Sequence, residues 1–193
     1  MMKNFVAHSV LVVAILFSIM TAKADVPHWK IVENHSTVTF TATQNNAPIT
    51  GSFKSFTGDI QFSPEQLDKS KVRIEIDMNS LSTADKDIVN TLKTADWFNV
   101  KVFPKAVFMA DKFTKTADGK YQANGNLTIR DKTLPVTLGF TLKESAPNQM
   151  TAEGSTIIKR NSFGVGQGDW SSTKEIKDDV KVEFILEAII SKL

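Results

Sequence analysis

Apolar and polar residues alternate along most of this chain with a period of two, which is typical of β-strands that have one buried face. In residues 180–190, every second residue from Val180 to Ala188 is apolar, and most residues between them are charged. Residues 71–77 show the same alternation around Val72, Ile74 and Ile76. Similar patterns predict further strands at residues 29–32, 37–43, 49–62 (two strands broken at 57–59), 106–113, 121–129, 133–142 and 150–158.

Helical patterns are confined to two short segments. Ser63, Pro64 and Glu65 provide an N-cap, a proline at the first helical position and an acid in the first turn, which predicts one helical turn. Ser82 or Thr83 is predicted to cap a second helix that runs through Leu92. Because so short a helix is not stable alone, we expect it to pack on the sheet.

The number and spacing of the strands favour one architecture. About eight antiparallel strands with one apolar face each predict an all-β fold, an extended antiparallel barrel with one or two short helices. A sandwich of two sheets is the alternative, but the long strands outnumber what two small sheets would need. Alternation alone leaves open whether side chains fill the interior or share it with a ligand.

The first 24 residues have the organisation of an export signal. Lys3 provides a positive start, residues 5–20 are apolar, and Ala22-Lys23-Ala24 fits the small-x-small cleavage pattern. A membrane anchor is the alternative, but the uncharged run is only marginally long for a membrane span. We predict a cleavable signal peptide at residues 1–24, one barrel domain at residues 25–193, and a periplasmic location.

Charge and cysteine content limit the partners and the sources of stability. The formal net charge is +2, but without Lys3 and Lys23 the 23 basic residues fall to 21, equal to the 21 acidic ones. A near-neutral protein is a poor match for nucleic acid. The chain has no cysteine, so disulfides and thiolate metal sites are excluded and stability must come from packing.

Few residues could support catalysis. After residue 24 the only histidines are His28 and His35, and no zinc-protease, nucleophile-elbow or P-loop motif occurs. The glycine-rich residues 164–168 precede no helical pattern, which favours a loop over a phosphate-binding site. We therefore predict that the protein is not an enzyme and carries no metal or cofactor of its own.

Aromatic and cationic residues make binding the better hypothesis. Strand parity directs six phenylalanines toward one interior, where they either fill a core or line a cavity: Phe40, Phe53, Phe62, Phe108, Phe140 and Phe184. Arg160 and Asn161 follow an apolar strand directly, where a guanidinium could hold a phosphate or a quinone carbonyl. A structural arginine paired to an acid or to strand-end carbonyls is the favoured alternative, and His35 likewise fits a structural role better.

Six short motifs occur in order along the chain. They are W-K-I-V-E-N-H-S from residue 29, G-S-F-K-S-F-T-G from 51, L-S-T from 81, L-K-T-A-D-W-F from 92 with Pro104, G-N-L-T-I-R from 125 with Pro135-Val136, and R-N-S-F-G from 160. Each motif is weak alone, but their order is specific. The chain resembles the YceI-like family of exported polyisoprenoid-binding proteins over the whole segment that follows the predicted signal.

The resemblance implies a lipocalin-like barrel whose elongated apolar cavity holds an isoprenoid lipid, such as a polyprenyl phosphate or a quinone tail. Some family members accompany membrane cytochromes of the b561 type, so an interaction module of such a redox system is the alternative function. The chain departs from the family pattern at Gln44, Trp97, Asn99 and Asp131. These differences affect the expected preference for a lipid head group more than they affect the expected fold. The sequence gives no indication of oligomeric state.

Strand parity and motif positions together predict the binding residues. The expected apolar cavity residues are Phe40, Phe53, Phe62, Ile74, Phe108, Leu127, Leu138, Phe140, Phe184 and Leu186. The expected polar residues at the mouth of the cavity are His35, Gln44, Arg160, Asn161 and Trp170.

Overall fold

The computed structural model describes residues 25–191, so the predicted signal peptide lies outside the described residues. Within them the chain forms strands, one α-helix and several short 3-10 turns. The strands are β1 (His28–Ile31), β2 (Thr37–Gln44), β3 (Ala47–Phe53), β4 (Phe56–Gln61), β5 (Lys71–Asp77), β6 (Leu81–Thr83), β7 (Lys105–Lys115), β8 (Tyr121–Ile129), β9 (Lys132–Ala146), β10 (Gln149–Lys159) and β11 (Asp179–Ile190). The helix is α1 (Lys86–Leu92), and the 3-10 turns are Glu33–His35, Leu67–Lys69, Met78–Ser80, Arg160–Phe163 and Gly168–Ser171.

Eight of these strands close an antiparallel barrel, which confirms the predicted fold class. The order around the barrel is β1, β4, β5, β7, β8, β9, β10 and β11, and β11 pairs again with β1. Because β1 pairs with both β4 and β11, it has a neighbour on each side and is not an edge strand. The alternative of two packed sheets is therefore wrong.

The long strand β11 has two partners on one side. Residues 181–185 of β11 pair with β2, whereas residues 188–190 pair with β1. The 3-10 turn Glu33–His35 lies between β1 and β2. Beyond this turn the sheet continues through β3 to β6, and α1 with residues 93–104 follows before the chain returns to the barrel at β7.

Strand β9 has a neighbour on both sides for only part of its length. It pairs with β8 from Lys132 to Phe140, but with β10 only from Gly139 onward. Pro135 lies in the half that has a single neighbour. A proline contributes no N–H to a sheet, so it is tolerated where a strand is paired on one side only.

Three local predictions need correction. The break between β3 and β4 falls at Lys54 and Ser55 rather than at residues 57–59, because Gly58 stays paired with Ile74. The helix begins later than predicted, since Ser82 and Thr83 belong to β6 and Asp85 caps α1 by accepting a hydrogen bond from the Asp87 N–H at 2.8 Å. The helical turn predicted at Ser63, Pro64 and Glu65 does not form there, because the 3-10 turn that follows is Leu67–Lys69 and its N-cap residue is Gln66.

Two glycines on neighbouring strands provide a matched test of close packing in the wall. A Cβ on Gly154 would lie 2.3 Å from the carbonyl oxygen of Gly139 and 2.7 Å from Cζ of Phe184, whereas a Cβ on Gly139 would have nothing within 4 Å. We expect Gly154→Ala to lower the free energy of unfolding by about 1–3 kcal/mol, the usual cost of overpacking. Gly139→Ala is expected to raise it by about 0.5 kcal/mol, because alanine restricts the unfolded chain. Denaturant titration measures both, and equal effects would contradict the packing at Gly154.

Candidate functional site

The interior of the barrel contains two apolar cavities. The first, here called the helix-side cavity, has a volume of about 300 Å³ and lies between β2, β3, α1 and the segment that follows β10. Helix α1 contributes Ile88, Thr91 and Leu92 to its wall. Its lining also includes Gln44, which is half-buried, and the exposed residues Asp87 and Trp170, the latter 37 % exposed.

The second cavity is lined by aromatic and aliphatic side chains of the closed barrel. This phenylalanine cavity has a volume of about 170 Å³. The ring of Phe62 packs edge-on against the rings of Phe113, Tyr121 and Phe140. The centroid distances are 5.3, 6.1 and 6.0 Å, respectively. Thr156 is the only residue with a polar side chain besides the tryptophan Trp29 in the lining that the structure describes.

The two cavities meet at four aliphatic side chains. Val38, Ile76, Leu127 and Val182 line both of them, and we call this ring the waist. The waist brings together strands β2, β5, β8 and β11, so it crosses the barrel from wall to wall. The two cavities are therefore adjacent inside the barrel, and the waist is their common boundary.

All ten apolar residues predicted from the sequence lie along this space. Phe40 and Phe53 line the helix-side cavity, and Leu127 belongs to the waist. The other seven line the phenylalanine cavity: Phe62, Ile74, Phe108, Leu138, Phe140, Phe184 and Leu186. Their inward positions follow from strand parity, and their role in ligand binding stays a prediction.

The five polar residues predicted at the mouth divide into two groups. Gln44, Arg160 and Trp170 line the helix-side cavity. His35 and Asn161 line neither cavity, so their predicted position is corrected. His35 lies in the exposed 3-10 turn between β1 and β2, where its Nδ1 is 2.7 Å from Oε1 of Glu187. Asn161 is exposed and donates its side-chain amide to the carbonyl of Ser171 at 3.0 Å.

The Arg160 guanidinium donates its hydrogen bonds to backbone carbonyl oxygens and does not face the cavity as a free cation. Its side chain is 3 % exposed, and its N–H groups donate to five carbonyl oxygens at 3.0–3.3 Å. The acceptors belong to Val165, Gly166, Ser172, Ile176 and Lys177, all in the segment between β10 and β11. Burial lowers the pKa of the Arg160 guanidinium, while the Asp178 carboxylate acts in the opposite direction. An arginine remains charged in either case.

The glycine-rich segment is shaped to surround this arginine. Gly164, Gly166 and Gly168 all have positive φ, and a Cβ on Gly166 would lie 2.2 Å from Nη1 of Arg160. Glycine at 166 is thus required by both the backbone angle and the close approach. The sequence predicts a loop here, but the pattern carries no signal for the contact with the guanidinium.

Sequence reasoning missed several lining residues. Trp97 is 6 % exposed, lines the helix-side cavity and packs on Trp170 at a centroid distance of 5.6 Å. The guanidinium carbon of Arg160 lies 5.8 Å from the centroid of the Trp97 ring. Asp87 and the apolar face of α1 were also missed as lining residues. The signals that pointed to this region were the L-K-T-A-D-W-F motif and the predicted packing of the short helix on the sheet.

Residues 25–191 contain neither a metal-binding cluster nor a membrane-spanning helix. No group of three or more histidine, aspartate or glutamate side chains in that segment could hold a metal ion. No helix in the same segment is long and apolar enough to cross a membrane.

A closed eight-stranded antiparallel barrel around an apolar interior is the architecture of lipocalin-like barrels, which can hold one small apolar ligand. The chain belongs to the YceI-like domain family, whose sequence model matches residues 29–188. This match confirms the resemblance that the six sequence motifs indicate.

Relatives and solved structures agree with this assignment. Protein YceI of Salmonella arizonae is 30% identical over 140 residues, which cover 69% of this chain and 72% of that protein. The crystal structure of BcnA from Burkholderia cenocepacia is similar with a TM-score of 0.78 and 30% identity, covering 81% of this chain and 98% of BcnA. A polyisoprenoid binding domain from Saccharophagus degradans has a TM-score of 0.69 over 86% of this chain and 99% of that domain, and at 12% identity this likeness concerns the fold alone.

Proposed function

We propose that this protein is an exported binding protein that carries one isoprenoid lipid, a polyprenyl phosphate or a quinone, in the interior of its barrel. The observation that carries the proposal is the meeting of the two cavities at the waist. A long, thin, flexible hydrocarbon matches two adjacent apolar cavities better than a compact ligand does. Membership of the YceI-like family and the shared fold with a polyisoprenoid binding domain support the same ligand class.

The energy of tail burial makes such binding plausible. Each CH₂ group removed from water contributes about 0.8 kcal/mol, so even part of an isoprenoid tail yields a large gross gain. The loss of chain freedom and of translation offsets much of that gain. The tail would therefore supply the affinity, and the few polar groups at the opening of the helix-side cavity would select the head group.

The residues that line the cavities support binding rather than catalysis. Asp87 and Arg160 are the only lining residues with a charged side chain in the described part of the chain. Arg160 is committed to backbone carbonyls, so no acid–base pair faces a ligand. Under this proposal, the predicted signal peptide directs export of the carrier to the periplasm. The family resemblance indicates a membrane cytochrome as the class of protein partner.

Organic extraction of the purified protein followed by mass spectrometry tests the function. We expect an isoprenoid lipid in the extract, and we expect Leu138→Asp to reduce its yield strongly, because Leu138 lines the phenylalanine cavity. Thr137→Asp is the matched control, since Thr137 is the exposed neighbour on the opposite face of β9. Extracts without lipid, together with failure to bind added quinones and polyprenyl phosphates, would contradict the proposal.

A further inference from the structure

The two cavities differ in how they reach the surface of the protein. In the described lining of the helix-side cavity two residues are exposed, Asp87 of α1 and Trp170 of the 3-10 turn Gly168–Ser171. The described lining of the phenylalanine cavity contains no exposed residue. The interior therefore meets solvent between α1 and this turn, which we call the opening, and the phenylalanine cavity lies behind the waist.

The segment between β4 and β5 covers the phenylalanine cavity firmly. Phe62, Ser63, Gln66 and Ser70 are all buried. The Ser70 hydroxyl donates to the Gln66 carbonyl at 3.0 Å and accepts from the Ser63 N–H at 3.1 Å. Leu67 packs against the aromatic cluster that contains Phe62. Opening this side of the barrel would break buried hydrogen bonds and aromatic packing together, which is costly.

Helix α1 is held much less firmly. It has seven residues, and none of them is buried. Ile88, Thr91 and Leu92 are half-buried and line the helix-side cavity. A helix of this length is not stable without its packing partners. Because segments with few buried contacts open at a low cost in free energy, α1 is the part of the cavity wall that opens most easily.

The other side of the opening is fixed. The carbonyls of Gly166 and Ser172, on either side of the Gly168–Ser171 turn, both accept hydrogen bonds from the Arg160 guanidinium, at 3.3 and 3.0 Å. Asn161 also donates its side-chain amide to a carbonyl within the turn. The turn is thus anchored at both ends, so a change in the size of the opening requires movement of α1.

Polar side chains lie on the same side as the opening. Gln44, Asp87 and Thr91 line the helix-side cavity. In the phenylalanine cavity the described polar side chains are Thr156 and Trp29, and the Trp29 indole N–H already donates to the Phe62 carbonyl at 2.8 Å. A head group placed in the phenylalanine cavity would lose its hydrogen bonds to water without adequate replacement, which disfavours that orientation.

We propose that the isoprenoid enters tail first between α1 and the Gly168–Ser171 turn, with α1 as the part that moves, and binds in one orientation. The tail crosses the waist into the phenylalanine cavity, and the head group stays in the helix-side cavity. This inference rests on the proposed isoprenoid-binding function and adds an entry route and an orientation to it.

The three tryptophans of the chain report the orientation. Trp97 and Trp170 line the helix-side cavity, whereas Trp29 lines the phenylalanine cavity. A quinone quenches tryptophan fluorescence by electron transfer, which requires near contact. The probe is therefore a benzoquinone that carries a geranylgeranyl chain, titrated into the purified protein. In Trp29→Phe, which emits from the other two tryptophans, we expect quenching as strong as in the wild type.

The complementary variant emits from the phenylalanine cavity alone. Trp97→Phe combined with Trp170→Phe leaves Trp29 as the fluorophore, and we expect most of the quenching to be lost although calorimetry still detects binding. Loss of quenching in Trp29→Phe would overturn the proposed orientation, and this variant alone decides the matter if the double variant does not fold. Equal quenching of both variants would also overturn it, because the head group would then occupy both cavities.

Asn90 allows the movement of α1 to be tested without touching the cavity. This residue is exposed within α1 and lines neither cavity. Glycine and alanine at an exposed helix position differ enough in helix propensity to change the population of the open helix by about fivefold. We therefore expect Asn90→Gly to take up and release the quinone about fivefold faster than Asn90→Ala, with a nearly unchanged dissociation constant.

Stopped-flow quenching measures uptake, and transfer of the quinone to excess phosphatidylcholine vesicles measures release. Gly139→Ala is the control, because it exchanges the same two residue types on the exposed face of β9 and should leave both rates unchanged. Equal rates in Asn90→Gly and Asn90→Ala would overturn the entry route and leave isoprenoid binding intact. If the wild-type protein neither binds the quinone nor shows quenching, the isoprenoid-binding function itself is wrong.

Discussion

Replacing Leu127 by tryptophan is expected to lower the affinity for a long isoprenoid by more than about a hundredfold. Leu127 belongs to the waist, where an indole ring would separate the helix-side cavity from the phenylalanine cavity. Each CH₂ group kept out of the phenylalanine cavity forfeits about 0.8 kcal/mol, and about 1.4 kcal/mol is tenfold in affinity. Excluding only about four such groups therefore gives the expected loss.

The length of the ligand provides the internal control for this variant. A short prenyl alcohol that fits within the helix-side cavity should lose much less affinity in Leu127→Trp than the long isoprenoid does, even though Leu127 lines both cavities. Thr128→Trp is the matched substitution, because it places the same ring on the other face of β8. Since overpacking costs about 1–3 kcal/mol of stability, denaturant titration should accompany the binding data. Unchanged affinity for the long ligand would show that no tail passes the waist.

Replacing Arg160 by leucine is expected to lower the free energy of unfolding by about 3–5 kcal/mol. The change leaves up to five carbonyl oxygens without their donor, in a segment whose conformation depends on that donor. Breaking a buried charged interaction by removing one partner has a cost of about this size. Domains are stable by only about 5–15 kcal/mol, so a large part of the total would be lost.

The neighbouring residue supplies the control for the arginine. Lys159→Leu removes an exposed cation that pairs with Asp179, and exposed ion pairs contribute only about 0–1 kcal/mol. Arg160→Lys should be intermediate, because an ammonium group has three donors and no planar fork. Chemical denaturation of the three variants measures the differences. Equal effects at positions 159 and 160 would show that Arg160 does not hold this segment.

The strands were predictable because the signal for them is local. Residues 71–77 and 121–129 form β5 and β8 with the predicted boundaries, and most other strands differ by a few residues at their ends. The break between β3 and β4 was misplaced because glycine and aspartate at 58–59 resemble a turn, whereas pairing with β5 keeps them extended. The start of α1 was misplaced because three possible capping residues stand close together, and β6 takes two of them.

The apolar part of the site was predictable for the same reason, and the polar part was not. Parity along each strand assigns Phe40, Leu138 and Phe184 to the inner face without knowledge of their neighbours. His35, Asn161 and Arg160 lie outside the strands, where no period fixes the direction of a side chain. The partner of His35, Glu187, is distant in the chain, and the partners of Arg160 and Asn161 lie in the irregular segment between β10 and β11. Those contacts depend on how the barrel closes.

The sequence by itself determined that this chain is a β-protein with one apolar face on each strand, because alternation with a period of two is a property of each segment alone. Only the tertiary structure decided that eight strands close into a barrel and that β11 pairs with both β1 and β2. It also decided that the apolar faces leave two adjacent cavities, which share Val38, Ile76, Leu127 and Val182. The tertiary structure likewise decided that the Arg160 guanidinium binds backbone carbonyls. Volume left between side chains and hydrogen bonds between distant residues are properties of the closed barrel, and no local pattern encodes them.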